Sequence, residues 1–189
     1  DKLDKIIYFF NIYLARKKIF ISKNIFSEFN YDGKLIDIHR GIKTIKKNKN
    51  FKKKKIFFFG RDLPYKNIQF IIDIAALLPD FKFEIHSDGI KKEKYKNLVE
   101  NIFIFDSHLS EKEIDNLYFS NHTLILPYLS ATQSGPFYLA IENNLNIIAS
   151  EIDFFKNEKS YYKNLFLING FNAKNWANKI KDLFKQDLI

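Results

Sequence analysis

Six short apolar runs follow one another from residue 55 onward, each separated from the next by a polar or helix-forming segment. The runs are Ile56–Phe59, Phe81–His86, Ile102–Phe105, Thr123–Leu126, Leu145–Ala149 and Leu165–Ile168. Between them, apolar residues recur at helical spacing, most clearly over residues 68–78, 134–143 and 173–184. Short apolar strands that alternate with helices are typical of a parallel sheet covered on both faces. The sequence therefore predicts an α/β domain with a doubly wound, parallel, six-stranded, Rossmann-like sheet.

Two further helices are predicted between the second and fourth runs. Residues 91–99 have the composition of a polar helix. Ser110 and Glu113 have the spacing of a capping box, and Ile114 and Leu117 follow on one helix face.

The first fifty residues do not continue this pattern. Helices are predicted over residues 4–17 and 24–29, and strands over residues 19–22 and 34–39. These are too few strands to bury a sheet on both faces. We therefore predict an incomplete N-terminal segment, residues 1–50, followed by a Rossmann-like α/β domain, residues 51–189. The chain contains no Met and opens on Asp1, so we expect it to be a piece of a longer protein.

The net charge of +9 is concentrated between residues 43 and 55, which hold eight lysines. Such a run is typical of a solvated linker. It also fits attraction to anionic lipid, worth about 1 kcal/mol per lysine near the surface, or to nucleic acid. Because the nucleic-acid fold signatures are missing, we expect no nucleic-acid partner and rank lipid second to linker. The expected location is the cytoplasm, at the inner face of the membrane where residues 43–55 contact it.

Several classes of chemistry are excluded or disfavoured by composition. The chain has no cysteine, so it forms neither disulfides nor thiolate metal sites. Its four histidines have no metal-ligand spacing, and we expect no metal. No apolar run is long enough to predict a membrane-spanning helix.

The residues that directly follow the predicted strands carry charge and flexibility. Gly60, Arg61 and Lys66 follow the first strand, and Asp88 and Gly89 follow the second. In a doubly wound sheet these loops share one rim, where strand order reverses. Arg61 offers a two-pronged donor for phosphate oxygens, and Lys66 a point charge. The alternative for Arg61 is a surface salt bridge with Asp62 or Asp88.

The loop after the fourth strand leads into a helix start suited to an anion. Ser134 is a candidate cap, Pro136 suits the first turn, and Gly135 permits close approach of a ligand. The first amides of a helix have no intrahelical partner and carry partial positive charge. The arrangement predicts a phosphate site, with an ordinary capped turn as the alternative.

These motifs recur in a recognisable order. Gly-Arg-x(4)-Lys-Asn is followed by His-Ser-Asp-Gly, Asn-Ile-Phe-Ile-Phe, Ser-Glu-Lys-Glu, Leu-Pro-Tyr and Ile-Ile-Ala-Ser. The ordered set resembles the C-terminal, donor-binding half of a GT-B retaining glycosyltransferase of family 4, or glycosyltransferase group 1. The resemblance covers residues 34–186. It implies that residues 1–50 are the tail of an N-terminal acceptor domain with a basic linker, and that residues 51–189 are the nucleotide-sugar-binding domain.

The resemblance implies transfer of a sugar from a UDP- or GDP-linked donor to a hydroxyl of a glycan or lipid-linked acceptor, without a cofactor. It assigns the donor diphosphate to Gly60, Arg61, Lys66, Ser134 and Gly135. It assigns the sugar or base to Asp88, Gly89, Phe105 and His108. We expect Thr132 and Gln133 to hydrogen-bond the sugar as well. Alone, without an acceptor domain, the chain is expected to be inactive.

One departure from that family concerns acidic residues. Family members usually carry two glutamates, separated by seven residues, that contact the donor sugar and the ribose. Counting back from Ala149 and Ser150 places Ala131 and Leu139 at these positions. Glu142 lies nearly one helical turn beyond the second. The departure leaves a second interpretation open, a catalytically degenerate module that binds without turnover.

Overall fold

The computed structural model describes residues 19–20, 34–35, 54–121 and 123–186. The chain divides into two compact units, Asp1–Ile42 and Lys43–Ile189. In the first, β1 (Ile19–Phe20) pairs in parallel with β2 (Lys34–Leu35). The helices predicted over residues 4–17 and 24–29 lie outside the described residues, as do most of the eight lysines of residues 43–55.

The second unit contains a six-stranded parallel sheet. Its strands are β3 (Lys55–Phe59), β4 (Lys82–His86), β5 (Ile102–Phe105), β6 (Thr123–Leu126), β7 (Asn146–Ser150) and β8 (Leu165–Ile168). Their order is β5-β4-β3-β6-β7-β8, and every neighbouring pair is parallel. The order reverses between β3 and β6, as a doubly wound sheet requires. The predicted fold class is confirmed.

Among the described residues, four α-helices lie between these strands and a fifth follows β8. They are α1 (Ile68–Ala76), α2 (Glu111–Ser120), α3 (Gly135–Glu142), α4 (Asp153–Lys159) and α5 (Ala173–Gln186). The predicted capping box is present at α2, where Ser110 N–H donates to Glu113 at 2.8 Å. All residues of β6 and β7 are buried, and Ile56, Phe57 and Phe58 in the middle of β3 are at 0% exposure. The core therefore lies on both faces of the middle of the sheet.

The helix predicted over residues 91–99 is wrong. Only one 3-10 turn forms there, Lys92–Lys94. The side chain of Gln69 on α1 exchanges two hydrogen bonds with the backbone of Lys96, at 3.0 and 3.1 Å. Asn97 has a left-handed φ of 56°. The segment lacks an apolar face to bury, so tertiary hydrogen bonds decide its conformation instead of helix propensity.

The expectation that all six strands are buried on both faces fails at β5. Phe103 and Phe105 are 42% and 39% exposed. Since β5 is the last strand on its side of the sheet, one edge has no neighbouring strand among the described residues.

Candidate functional site

The site lies where the strand order reverses. β3 and β6 pair at a single position, Phe57 with Leu124, whereas β3 and β4 pair along their whole length. Beyond that position the strands lead into the loops 60–67 and 127–134. A cavity of about 420 Å³ lies there, lined by residues that follow the carboxyl ends of β3, β4, β5 and β6. Ligands of open α/β sheets bind at this place.

Lys66 extends into this cavity from a short turn. Pro64–Lys66 form a 3-10 turn after β3, and Lys66 is only 6% exposed. Its Nζ lies 5.9 Å from the ring centroid of Phe58 and 5.8 Å from that of Tyr128. Gly60 has a φ of +142°, and a Cβ added there would collide with this Nζ. Glycine is therefore required for Lys66 to occupy its position.

The ammonium of Lys66 is poorly compensated. Burial, and then the neighbouring charge of Arg61, lower the pKa of Lys66 to about 8. Among the ion pairs of the described residues, none involves either cation. Because a buried cation without a carboxylate partner is costly, the cavity is prepared for an anion that would replace the missing partner.

The salt bridge considered as an alternative for Arg61 does not form. Asp62 pairs with Lys94 at 3.0 Å, and Asp88 pairs with His108 at 3.0 Å. Arg61 itself is exposed at the mouth of the cavity. Because no described residue forms an ion pair with Arg61, its five N–H donors are available to a ligand.

The start of α3 forms the opposite wall. The Oγ of Ser134 accepts a hydrogen bond from the N–H of Phe137 at 3.3 Å, which confirms the predicted cap. Several free amides were predicted in the first turn of α3. Because Pro136 has no N–H and the N–H of Phe137 is bonded to Ser134, the free amide in this turn is that of Gly135. The hydroxyl of Tyr118 on α2 donates to the carbonyl of Pro136 at 3.2 Å and holds this end of α3 in place.

Two hydrogen bonds fix the loop 127–134 against its surroundings. The Oγ of Ser150 on β7 donates to the carbonyl of Tyr128 at 2.5 Å. The N–H of Leu129 donates to the carbonyl of Tyr65 at 2.7 Å, which joins the loop after β6 to the turn after β3. The two sides of the cavity are therefore connected through backbone groups and hold a defined separation.

Most residues that the sequence predicted for the site line this cavity. They are Gly60, Arg61, Lys66, Asp88, His108, Gln133, Ser134 and Gly135. All five assigned to the diphosphate are in this set.

Three predicted residues lie elsewhere. The ring of Phe105 stacks on His86, with centroids 4.5 Å apart and planes 9° apart. Gly89 turns the chain and donates its N–H to Asp106 at 2.8 Å. Thr132 lines a neighbouring cavity of about 300 Å³.

The sequence analysis missed several residues that line the site. The aromatic residues Tyr65 and Tyr128 line the cavity, with the ring of Tyr128 beside the Nζ of Lys66, and Phe59, Leu109 and Ile114 form apolar parts of its wall. Tyr65 directly precedes Lys66, and Tyr128 is the last residue of the Leu-Pro-Tyr motif, so the sequence did offer a signal for both.

The described residues contain neither a candidate metal site nor a helix that could span a membrane. No group of three or more His, Cys, Asp or Glu there could hold a metal ion. No helix in those ranges has the length and apolarity needed to cross a membrane.

The chain matches a protein-family model. The model described as Glycosyl transferases group 1 matches residues 41–188, which is more than half of the sequence. The chain therefore belongs to the group 1 family of glycosyltransferases. Its sheet and connections are those of the C-terminal domain of the GT-B fold. No curated protein matches the chain.

Solved structures share this fold at low identity. TarM aligns with a TM-score of 0.72 and 20% identity, over 100% of this chain and 40% of TarM. WaaG, a glycosyltransferase involved in lipopolysaccharide biosynthesis, aligns with a TM-score of 0.65 and 12% identity, over 89% of this chain and 53% of WaaG. The pneumococcal O-GlcNAc transferase GtfA, in complex with UDP and GlcNAc, aligns with a TM-score of 0.57 and 15% identity. This alignment covers 90% of this chain and 37% of GtfA. The chain thus spans about half or less of each.

Proposed function

We propose that this chain binds a nucleotide-sugar donor, linked to UDP or GDP, and forms the donor half of a glycosyltransferase that acts in glycan or polysaccharide biosynthesis. The acceptor is the hydroxyl of a glycan or lipid-linked sugar. One observation carries the proposal: the buried ammonium of Lys66 lies beside Arg61, and neither pairs with a carboxylate of a described residue. A diphosphate supplies that missing charge.

The same two cations have a role in the transfer step. When the bond between sugar and diphosphate breaks, negative charge develops on the departing diphosphate. Arg61 and Lys66 would stabilise that charge, with the amide of Gly135 as a further donor. In the buried part of the cavity these interactions are stronger than in water. The proposal needs no metal ion for this step.

A titration of the whole chain with a panel of nucleotides tests the proposal. We expect UDP or GDP to bind, and the double variant Arg61→Ala, Lys66→Ala to weaken that binding about a hundredfold. The control is Lys174→Ala, Lys181→Ala, which removes the same charge from exposed positions of α5. Equal binding by both double variants would exclude the proposed diphosphate site.

A binding module without turnover is the second candidate. It is favoured by Ala131, which lies in the neighbouring cavity where the family pattern places an acidic side chain. Glu142, at the last position of α3, is half-buried. Sugar transfer from a radiolabelled donor by the full-length protein would decide against this candidate. Contact of residues 43–55 with anionic lipid stays a prediction.

A further inference from the structure

The amine of Lys66 has the surroundings of a nucleophile as well as those of an anion-binding group. Lys66 is 6% exposed, and its Nζ lies 5.9 and 5.8 Å from the ring centroids of Phe58 and Tyr128. A Cβ added at Gly60 would collide with this Nζ and would lie 3.7 Å from Pro136, so the amine lies in the gap between the loop after β3 and the start of α3. That gap is part of the cavity of about 420 Å³, which gives a small molecule access to the amine.

These surroundings keep a fraction of the Lys66 amines neutral. Burial, and then the charge of Arg61, lower the pKa of Lys66 to about 8. At pH 7.5 about a quarter of such amines are neutral, against about one in a thousand for an ordinary lysine. A lysine that is desolvated beside another cation is an activated nucleophile. Because a less basic group is also intrinsically less nucleophilic, as for thiols, we expect a net gain in reactivity of about tenfold.

The charge of the cavity favours one class of electrophile. The guanidinium of Arg61 is a two-pronged donor for phosphate oxygens, and no described residue forms an ion pair with it. An acyl phosphate carries its phosphate directly on the reactive carbonyl carbon. Docking of that phosphate on Arg61 brings the carbonyl close to the neighbouring Nζ. The same guanidinium then stabilises the charge that develops on the departing phosphate.

We propose that Lys66 is a site of acylation by acyl phosphates, which dock through their phosphate on Arg61 and transfer their acyl group to the Nζ without a second enzyme. The lone pair of the neutral amine attacks the carbonyl carbon and forms a C–N bond. The bond between that carbon and the bridging oxygen breaks, and inorganic phosphate leaves with the electron pair. The amine gives one proton to solvent, and a neutral amide replaces the cation.

Acylation of Lys66 regulates the site. It removes one of the two cations assigned to the donor diphosphate, so it lowers donor affinity about tenfold. Conversely, a diphosphate bound to Arg61 and Lys66 occupies the dock and the nucleophile together, and it protects Lys66 from acylation. The acylation itself depends only on the cavity and its cations, whereas these two effects on donor binding rest on the proposed function.

Incubation of the folded whole chain with acetyl phosphate, followed by peptide mass spectrometry, tests the proposal. We expect Lys66 to be acetylated about tenfold or more faster than Lys174 and Lys181, which are exposed on α5. The rate at Lys66 should rise with pH and level off above about 8, whereas the rate at an ordinary lysine continues to rise. In urea-unfolded chain the advantage of Lys66 should disappear.

A second acyl donor separates phosphate docking from simple reactivity. p-Nitrophenyl acetate carries the same acyl group but no phosphate. We expect the ratio of the acetyl phosphate rate to the p-nitrophenyl acetate rate to be highest at Lys66, and to fall about fivefold or more in Arg61→Ala.

Lys159 is the matched control within the same chain. Burial lowers the pKa of Lys159 as well, but its Nζ donates to the carbonyls of Lys163 and Leu165 and it lies outside the anion cavity. Its ratio of the two rates should equal that of the exposed lysines and should not change in Arg61→Ala.

The outcomes separate this inference from the proposed function. Acetylation of Lys66 no faster than that of Lys174 and Lys181, or an equal rate ratio in wild type and Arg61→Ala, overturns the inference. Titration of the acetylated chain with UDP and GDP should show a loss of affinity that follows the acetylated fraction of Lys66, and unchanged affinity overturns the regulation. Failure of the unmodified chain to bind either nucleotide overturns the proposed function and leaves the acylation result standing.

Discussion

The Nζ of Lys66 lies between the rings of Phe58 and Tyr128 and is almost completely removed from solvent. Cation–π contact of this kind contributes about 1–2 kcal/mol when desolvated. Burial and the charge of Arg61 nevertheless lower the pKa of Lys66 from 10.5 to about 8. A pKa difference of that size corresponds to about 3 kcal/mol of cost to the folded state. Lys66 therefore destabilises the folded state, and binding of the proposed diphosphate would offset that cost.

We predict that Lys66→Met stabilises the chain and weakens diphosphate binding, by less than the double variant Arg61→Ala, Lys66→Ala does. At pH 7 lysine is charged in both the folded and the unfolded chain, so the variant should gain up to about 3 kcal/mol in the free energy of unfolding. Between pH 8 and 10.5 the unfolded wild type binds more protons than the folded one, and wild-type stability rises. The gap between variant and wild type should close across that window. Urea unfolding at several pH values measures it.

The matched control is Lys181→Met, on the exposed face of α5. It should change the unfolding free energy by less than about 0.5 kcal/mol and leave ligand binding alone. If Lys66→Met were instead less stable than wild type at pH 7, Lys66 would be a structural residue and its burial would carry no functional argument.

The identities of Gly60, Arg61 and Lys66 were accessible from the sequence for a definite reason. Each follows an apolar run closely, and the topology of a doubly wound sheet brings such residues to one rim. Burial of the Lys66 side chain was not accessible, because it depends on rings contributed by β3 and by the loop after β6. The position of the Tyr65 ring could not be predicted either, because it depends on a contact with Tyr128 across two loops.

At the scale of elements, the N-terminus of α3 combines a structural cap with a wall of the cavity. Ser134 is buried, its Oγ accepts a hydrogen bond from the N–H of Phe137, and it lines the cavity. These two roles respond differently to charge. A carboxylate caps a helix well and interacts favourably with its dipole, but it repels an anionic ligand.

We predict opposite effects for two substitutions at Ser134. Ser134→Ala should lower the free energy of unfolding by about 1 kcal/mol, because the Phe137 amide loses its acceptor. Ser134→Asp should keep most of that stability and weaken nucleoside diphosphate binding more strongly than Ser134→Ala does. Denaturant unfolding and calorimetric titration measure the two effects. Equal loss of affinity in both variants would mean that no phosphate lies near this helix start.

Elements also show where sequence patterns stop being sufficient. The strands and the long helices were predicted because their apolar residues repeat with a clear period. Residues 91–99 lack that repeat, and the side chain of Gln69, distant in sequence, fixes their backbone. On β4, Glu84 is buried although it is charged, because Lys55 and Lys82 contact it at 2.8 and 2.9 Å. Both outcomes depend on neighbours that no local pattern specifies.

At the scale of the whole molecule, the cavity belongs to one unit of the chain. Its described lining residues all fall between Phe59 and Pro136, inside the unit Lys43–Ile189. The family match begins at residue 41, next to the same division. Donor binding is therefore expected to be a property of this unit, whereas sugar transfer is expected to need the acceptor domain as well.

We predict that the chain without residues 1–42 binds the same nucleoside diphosphate with an affinity within about threefold of the full chain, since none of the described lining residues of the cavity is removed. Trp176 is the sole tryptophan and is fully buried in this unit, so its fluorescence reports whether the shortened chain is folded. Neither form is expected to transfer sugar to an acceptor. A shortened chain that keeps the buried-tryptophan signal but no longer binds would show that residues 1–42 complete the site.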